Sequence, residues 1–525
     1  MSPVTPTKAP LAWLADFVDA VGEANVVDEA AEEIAAYLDP FGFGESNRPA
    51  GVVRPSTVAE VKRVLEIAKQ HHLALWTVSR GRNFAYGGPE APRPGQVVVD
   101  LSRMDAVLSI DEEAGVAIIE PGVSFQALDA HLRAVGSRLA VSVPDLSWGS
   151  LVGNTLERGF SYTTNSEHQA MQCGMEVVLA DGTVVRTGMG ALPGSDTWGM
   201  YRGAYGPGFD GLFFQSNFGI VTKMGIWLRP RPAHSASCEI SVPEDHQLGD
   251  LVEALRPLMI SGTIQSNVVI GNALIAGSAA ARRDRFYDGD GLMPDSAIRA
   301  LMKELGLGRW NAQLGVYGSA EMMAARRAEI ERAVRTIVGA RISFTEYDGD
   351  VDPADVLPQD RTQLGIPSNE AIEMIAWRGG EPAHSDIGLV CAPTAAATNA
   401  VRQLVGTLVE SRGLDYAAGF MLWPRHVIAM CLVSFDRSDS AQRSVVDGLM
   451  TSVIQAAGAA GFAPYRAHVA HMDVAAAQYS FNDHAALRLA ERLKDALDPD
   501  GILSPGKQGI WPVGTDRDAA RDLWH

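Results

Sequence analysis

The run Ser79-Arg80-Gly81-Arg82-Asn83-Phe84-Ala85-Tyr86-Gly87-Gly88 sets small residues and main-chain N–H groups around one tyrosine, directly after a strand-like segment at 75–78. Such a loop can wrap a phosphate. Glycines at 81, 87 and 88 let the main chain approach a charged ligand, and successive N–H groups in a turn form an anion-binding concavity. The loop has neither the G-x-G-x-x-G spacing of the common dinucleotide fold nor the Gly-Lys-Ser/Thr ending of a P-loop, so a cofactor here is held in another way. Two further clusters invite a metal reading. Tyr287-Asp288-Gly289-Asp290-Gly291 lacks the full ligand pattern and terminal bidentate Glu of a calcium loop, which favours a solvated turn. His468 and His471 stand outside any H-E-x-x-H motif and have no clear third ligand, so no metal is expected.

The elements that must carry these residues belong to a large globular protein. The chain has 525 residues, 46% hydrophobic and 20% charged, enough for two or more folding units. Its net charge of −19, from 44 basic against 63 acidic residues, argues against nucleic acid or an anionic membrane and for a small organic ligand. Cys173, Cys238, Cys391 and Cys431 show no C-x-x-C spacing, and are expected as buried, reduced thiols. The first ten residues are polar and Pro-rich with no signal-peptide pattern, and no apolar run reaches membrane-spanning length, so a cytoplasmic protein is expected.

Thr57 with Glu60 three residues later has the capping-box pattern and predicts an amphipathic helix from 58. That helix feeds the strand at 75–78, the glycine loop, and strands at 96–101 and 115–120, the last turning at Pro121-Gly122 into another helix. The alternation indicates an α+β fold. Asp181-Gly182 predicts a type I′ hairpin turn within 176–185, and 222–229 reads as a strand closing this region. After Pro230 the texture changes to a strand at 237–242 and long Ala-rich helical stretches, and a helix at 485–497 stops at Asp498-Pro499-Asp500-Gly501.

Five segments in chain order together resemble one family. The glycine loop with Tyr86, the run 143–159 (VPDLSWGSLVGNTLERG), the run 215–222 (QSNFGIVT), Pro464-Tyr465-Arg466-Ala467-His468, and 497–511 (LDPDGILSPGKQGIW) are similar to the vanillyl-alcohol oxidase and p-cresol methylhydroxylase flavoproteins, within which the chain looks closest to bacterial eugenol and vanillyl-alcohol oxidases. The resemblance implies a discontinuous FAD-binding domain of the PCMH type, from 1–230 completed by 465–525, with an α+β cap domain at 231–464. It implies that FAD is held by Ser79, Gly81, Arg82, Asn83, Gly87, Gly88, Ser150, Gly153, Asn154, Glu157, Gly219, Ile220 and Lys507, and attached covalently through His384. A homodimer or larger homo-oligomer is the common state of such proteins.

The same resemblance implies the chemistry. Its substrates are phenols with a carbon chain para to the hydroxyl, such as 4-hydroxybenzyl alcohols, 4-alkylphenols and eugenol-like compounds. Tyr86, Tyr465 and Arg466 match the donors that hold the phenolate, whose ionisation a guanidinium and two hydroxyls would favour. Hydride then passes from the benzylic carbon to the flavin, leaving a p-quinone methide, and dioxygen is reduced to hydrogen peroxide. Asp145 matches an acid beside the reacting carbon, able to take a proton from water or an alcohol; on local pattern alone, Asp after Pro merely starts a turn. Phe160 and Asp386 depart from the family pattern: the first trims the pocket and the second adds a charge, which favours short or polar substrate side chains. Tyr162, Met421 and Trp423 are further pocket walls or core residues. A cytochrome-linked dehydrogenase on the same fold, or an FAD oxidoreductase for a non-phenolic hydroxy acid, are the alternatives.

Overall fold

The computed structural model describes residues 12–515 apart from 44, 45, 165 and 350, so the Pro-rich N-terminal decapeptide lies outside the described residues. The Thr57 hydroxyl accepts from the Glu60 N–H and starts the helix Val58–Gln70. The Glu60 carboxylate, however, reaches back to the Ser56 N–H instead of that of Thr57. Val61, Val64, Leu65 and Ala68 of this helix pack on a four-stranded sheet whose order is Val26–Asp28, Gly51–Val53, Val97–Asp100, Leu75–Val78, the last three parallel. Val97–Asp100 is buried at every position because separate hydrophobic clusters cover its two faces. The glycine loop leaves the end of Leu75–Val78 at this sheet.

A second, antiparallel sheet runs in the order Val107–Asp111, Val116–Ile119, Ile220–Trp227, Gln172–Val178, Val184–Arg186. The predicted hairpin is there, but its turn differs from type I′. Only Gly182, at φ 82°, takes a positive angle, and Leu179 donates to the Thr183 carbonyl, so a three-residue loop closed by a left-handed glycine joins the strands.

The third sheet has eight antiparallel strands, in the order Arg341–Asp348, His234–Val242, Trp310–Gly318, Val268–Asn272, Ala417–Leu422, Val427–Asp436, Pro382–Cys391, Ala463–Pro464. Alternation divides its faces. Ala383, Ile387, Leu389, Ala418, Phe420, Leu422, Val427, Ala429, Cys431, Val433 and Phe435 all enter the largest hydrophobic core. Their neighbours in the same strands, His384, Asp386, Gly388, Met421, Ile428 and Met430, are left for the other face. That face forms one wall of the site described below.

The end of the chain ties the first two sheets together. Asn482, Asp483 and His484 are left-handed, and the regular helix that follows reaches Leu497, as expected from 485 onward. Its Leu493 and Leu497 pack on the core of the second sheet, while Leu503 bridges in parallel to Leu75 of the first. The wholly buried Lys494 secures this return: its ammonium lies 2.6 Å from Asp498 and donates to the carbonyls of Asn217 and Leu503. In the Asp-Gly run, the Arg283 guanidinium takes the carbonyls of Tyr287, Gly289 and Gly291, the atoms a cation would need. All four cysteines are buried and free.

Candidate active site

The loop after Leu75–Val78 has the conformation its glycines suggest: Gly81, Gly87 and Gly88 take φ of 62°, 100° and 57°. The main-chain N–H groups of Gly81, Arg82, Asn83, Phe84 and Ala85 donate to nothing among the described residues, whereas those of Tyr86 and Gly88 close a turn onto the Asn83 carbonyl. A consecutive set of free donors in a glycine-bounded turn is an anion receptor. Ser150 caps the short helix Leu151–Leu156, accepting from the Gly153 N–H, and the position a Cβ of Gly153 would fill lies 3.1 Å from Ser79 Oγ. Glycine there lets that turn of helix sit closely on the loop. Lys507 lies 2.6 Å from Glu157, and burial, which raises the Glu157 pKa, is outweighed by Lys507, so the carboxylate is held below its usual range. The free N–H groups of the glycine loop fit the phosphates of a flavin dinucleotide.

Beside the cradle, Tyr86 and Tyr465 converge on Arg466. The guanidinium carbon lies 5.7 Å from the Tyr86 ring centre and 5.3 Å from that of Tyr465. Arg466 Nε donates to the Glu157 carbonyl at 2.5 Å and Nη2 makes a long contact of 3.5 Å to that of Asn154, which leaves N–H groups for a ligand. The backbone of Tyr465 is pinned by the Gly388 carbonyl and by Gln215 Nε2, and any Cβ at Gly388 would stand 2.5 Å from the Tyr465 ring. The buried Tyr86 hydroxyl has no hydrogen-bond partner of good geometry, although Tyr465 is near enough to influence it electrically. Burial pushes both phenols above their ordinary pKa against the pull of Arg466, so both stay protonated donors. Two hydroxyl donors and one cation so close together suit an aromatic oxyanion.

Asp145 and Asp386 supply the opposite charge. The Tyr162 hydroxyl donates a short bond to Asp145. Burial lifts the Asp145 pKa from 3.8 to about 6, with the nearby Asp386 adding to the rise and Tyr162 opposing it. Asp386 is thus inside the site and acts on Tyr86, Tyr162 and Tyr465 as well. Its carboxylate lies 3.0 Å from His384 Nδ1. The apolar wall between these poles is Phe160, Met421, Trp423, Ile428, Val269, Met430 and Tyr465, in which the Phe160 ring stands 5.3 Å from Trp423 and 6.0 Å from Tyr162.

Of the residues singled out in the sequence, Tyr86, Asp145, Phe160, Tyr162, His384, Asp386, Met421, Tyr465 and Arg466 gather in one place. The Asn154 carbonyl meets Arg466, and its amide oxygen lies 2.6 Å from His168, which burial keeps neutral with a pKa of about 4. Arg82 lies over Phe84. A Cβ on Gly219 would meet Val177 at 2.5 Å, and the Ile220 side chain is in the core of the first sheet, so these two offer a ligand their main chain alone. His468 and His471 pair with Asp39 and Asp447 at 2.9 and 3.0 Å. Gln215, Val269, Ile428 and Met430 were not foreseen. Strand alternation from Met421 offers a route to the last three, once the register with Val268–Asn272 and Val427–Asp436 is known.

Residues 49–188 match the FAD binding domain family, and residues 374–508 match the C-terminal domain of FAD linked oxidases. The chain is 36% identical to the 4-cresol dehydrogenase [hydroxylating] flavoprotein subunit of Pseudomonas putida, over 93% of this chain and 94% of that protein. Among solved structures it is similar to the 4-ethylphenol oxidase from Gulosibacter chungangensis, with a TM-score of 0.90 and 33% identity over 95% of this chain and 97% of that one. It is equally similar to p-cresol methylhydroxylase, with a TM-score of 0.90 and 33% identity over 96% and 97% of the two chains.

Proposed function

From a chain that belongs to the vanillyl-alcohol oxidase and p-cresol methylhydroxylase family of FAD-linked oxidoreductases, we propose an oxidase of para-substituted phenols that takes 4-hydroxybenzyl alcohols, 4-alkylphenols and eugenol-like compounds. The observation that carries this reading is the gathering of Tyr86 and Tyr465 around Arg466 beside the glycine loop. Bound FAD would supply the two-electron acceptor for the benzylic carbon. Arg466 and the two tyrosine hydroxyls bind the substrate oxygen and stabilise its ionised form, lowering a phenol pKa from about 10. Phe160, Met421 and Trp423 exclude water and orient the ring. Asp145 receives the proton of a water or alcohol at the reacting carbon. The binding residues for FAD are those of the glycine loop, the 150–157 segment, Lys507 and, as the point of attachment, His384. Segments 1–230 and 465–525 are read as one FAD domain and 231–464 as its cap, a division favoured by the Leu503 to Leu75 bridge. We also expect a cytoplasmic homo-oligomer; among the described residues no helix is long and apolar enough to cross a membrane.

Mixing the yellow protein anaerobically with vanillyl alcohol, 4-ethylphenol and eugenol, then admitting air, tests this reading. Flavin bleaching followed by rapid recovery with hydrogen peroxide is the expected result, with eugenol the poorest substrate because Phe160 and Asp386 restrict the pocket. Failure to bleach with any phenol would remove the proposed substrate class. Slow recovery in air would favour the second reading, a dehydrogenase with a cytochrome-type acceptor, which the name of the Pseudomonas putida relative recommends. A hydroxy-acid substrate is disfavoured by the carboxylates of Asp145 and Asp386 in the same pocket.

Tyr162 gives a finer test of the Asp145 assignment. Its hydroxyl lowers the pKa of a carboxyl whose pKa burial has raised. Losing a charge-assisted bond worth about 1.4 kcal/mol moves a pKa by about one unit. Tyr162→Phe is therefore expected to shift the acidic limb of the kcat profile upward by about one pH unit; an unmoved limb would mean that Asp145 does not set it.

A further inference from the structure

His384 and Asp386 are bonded to each other, with Nδ1 3.0 Å from the carboxylate. The two residues stand two apart in the strand Pro382–Cys391, so the pleat puts both side chains on one face, toward the site. The strand is fixed at both points by pairing with Ser434 and Leu432, and Ser385 between them donates to the Ala85 carbonyl of the glycine loop at 3.1 Å. The side chains are 11% and 18% exposed, and the Phe41 ring stands 5.3 Å from the imidazole. Among the described residues the carboxylate paired with His384 is that of Asp386, while Asp145 is engaged by Tyr162 and Asp39 by His468. A carboxylate acceptor at Nδ1 keeps the proton on that nitrogen and leaves the lone pair on Nε2, the arrangement in which a histidine is a nucleophile.

We propose that Asp386 is the positioning residue and proton acceptor for covalent attachment of FAD to His384. Resting on the reading of His384 as the attachment point, the inference identifies the base that the attachment requires. In the step, the flavin C8α methyl loses one proton and the Nε2–C8α bond forms. The Nδ1 proton passes to Asp386. The two electrons left on the ring system go to dioxygen, which with the two protons becomes hydrogen peroxide. Asp386 thus does for Nε2 what an orienting carboxylate does for other catalytic and metal-binding histidines, whose loss costs about ten- to a hundredfold.

The test compares wild type, Asp386→Asn and Asp386→Ala after incubation of each purified full-length protein with FAD in air. Flavin is followed over time as the fraction that stays with acid-precipitated protein, and FAD content before acid and Tm are recorded in parallel. Wild type is expected to keep its flavin. Asp386→Ala should hold FAD in the native state but release about nine-tenths of it in acid. Asp386→Asn retains an oxygen that accepts from Nδ1 but cannot take the proton, and should link at least about tenfold more slowly than wild type, with unchanged Tm. Linkage at the wild-type rate in either variant overturns the role of Asp386. Release of flavin by wild type itself overturns the attachment at His384, a separate failure. Should Asp386→Ala not fold, the near-isosteric Asp386→Asn decides alone.

Discussion

Replacing Arg466 with alanine is expected to lower kcat/KM for 4-ethylphenol by about a thousandfold while FAD remains bound. The guanidinium is the cation that faces Tyr86 and Tyr465, and burial makes both of those hydroxyls reluctant to ionise. They can donate to an oxyanion, but they bring no charge. Without Arg466 a substrate oxyanion would sit near Asp386 and Asp145 with nothing to offset them. Leaving a buried charge unpaired costs about 3–5 kcal/mol, and each 1.36 kcal/mol is a factor of about ten in rate. The pH profile separates this from a general loss of structure. In the variant the reaction should recover only as pH approaches the free phenol's pKa of about 10. Arg466→Lys is expected to recover little, because an ammonium cannot both hold the Glu157 carbonyl and present a fork to the substrate. A loss below tenfold with an unchanged profile would remove Arg466 from the phenolate site.

The parts of this site that could be read in the sequence are those whose signal is local. Gly81, Gly87 and Gly88 advertise left-handed backbone, Thr57 and Glu60 a helix start, and Leu75–Val78 a short strand; each depends on neighbours within a few residues. The family resemblance then carried Tyr86, Tyr465 and Arg466 across a gap of hundreds of residues that no periodicity could bridge. What stayed hidden depends on pairing between distant strands. Met421, Ile428 and Met430 face the candidate site while Phe420, Ala429 and Cys431 fill the core, yet both sets are apolar, so no alternation of polarity marks which face is which. The usual hydrophobic-in, polar-out pattern is lost wherever both faces of a sheet are covered. The hairpin at Asp181-Gly182 shows the converse limit: the sequence locates the turn, but whether Asp181 joins the glycine in positive φ depends on the register of the flanking strands.

Asp145→Asn is expected to lower kcat by about a thousandfold, within the range for loss of a positioned general base. The substitution keeps the shape and a partner for Tyr162 but removes the proton acceptor. In wild type the same carboxyl, with burial lifting its pKa to about 6, should impose an acidic limb on kcat near that pH, because only the ionised form can receive a proton. The variant should lack that limb. Stability moves the other way. The folded protein holds this proton more tightly than the unfolded chain, so unfolding free energy falls as pH rises from about 4 to about 6 and does not recover above it. The shift from 3.8 to about 6 corresponds to about 3 kcal/mol at most. Asp145→Asn should therefore raise Tm at pH 7.5 and leave it nearly unchanged at pH 4, where the native carboxyl is already neutral. An inactive variant that is also less stable at pH 7.5 would point to a structural role for Asp145; one that keeps kcat within fivefold of wild type, with the acidic limb intact, would move the base elsewhere. Greater stability with lost activity is the combination required of a carboxylate held in a buried site for its chemistry.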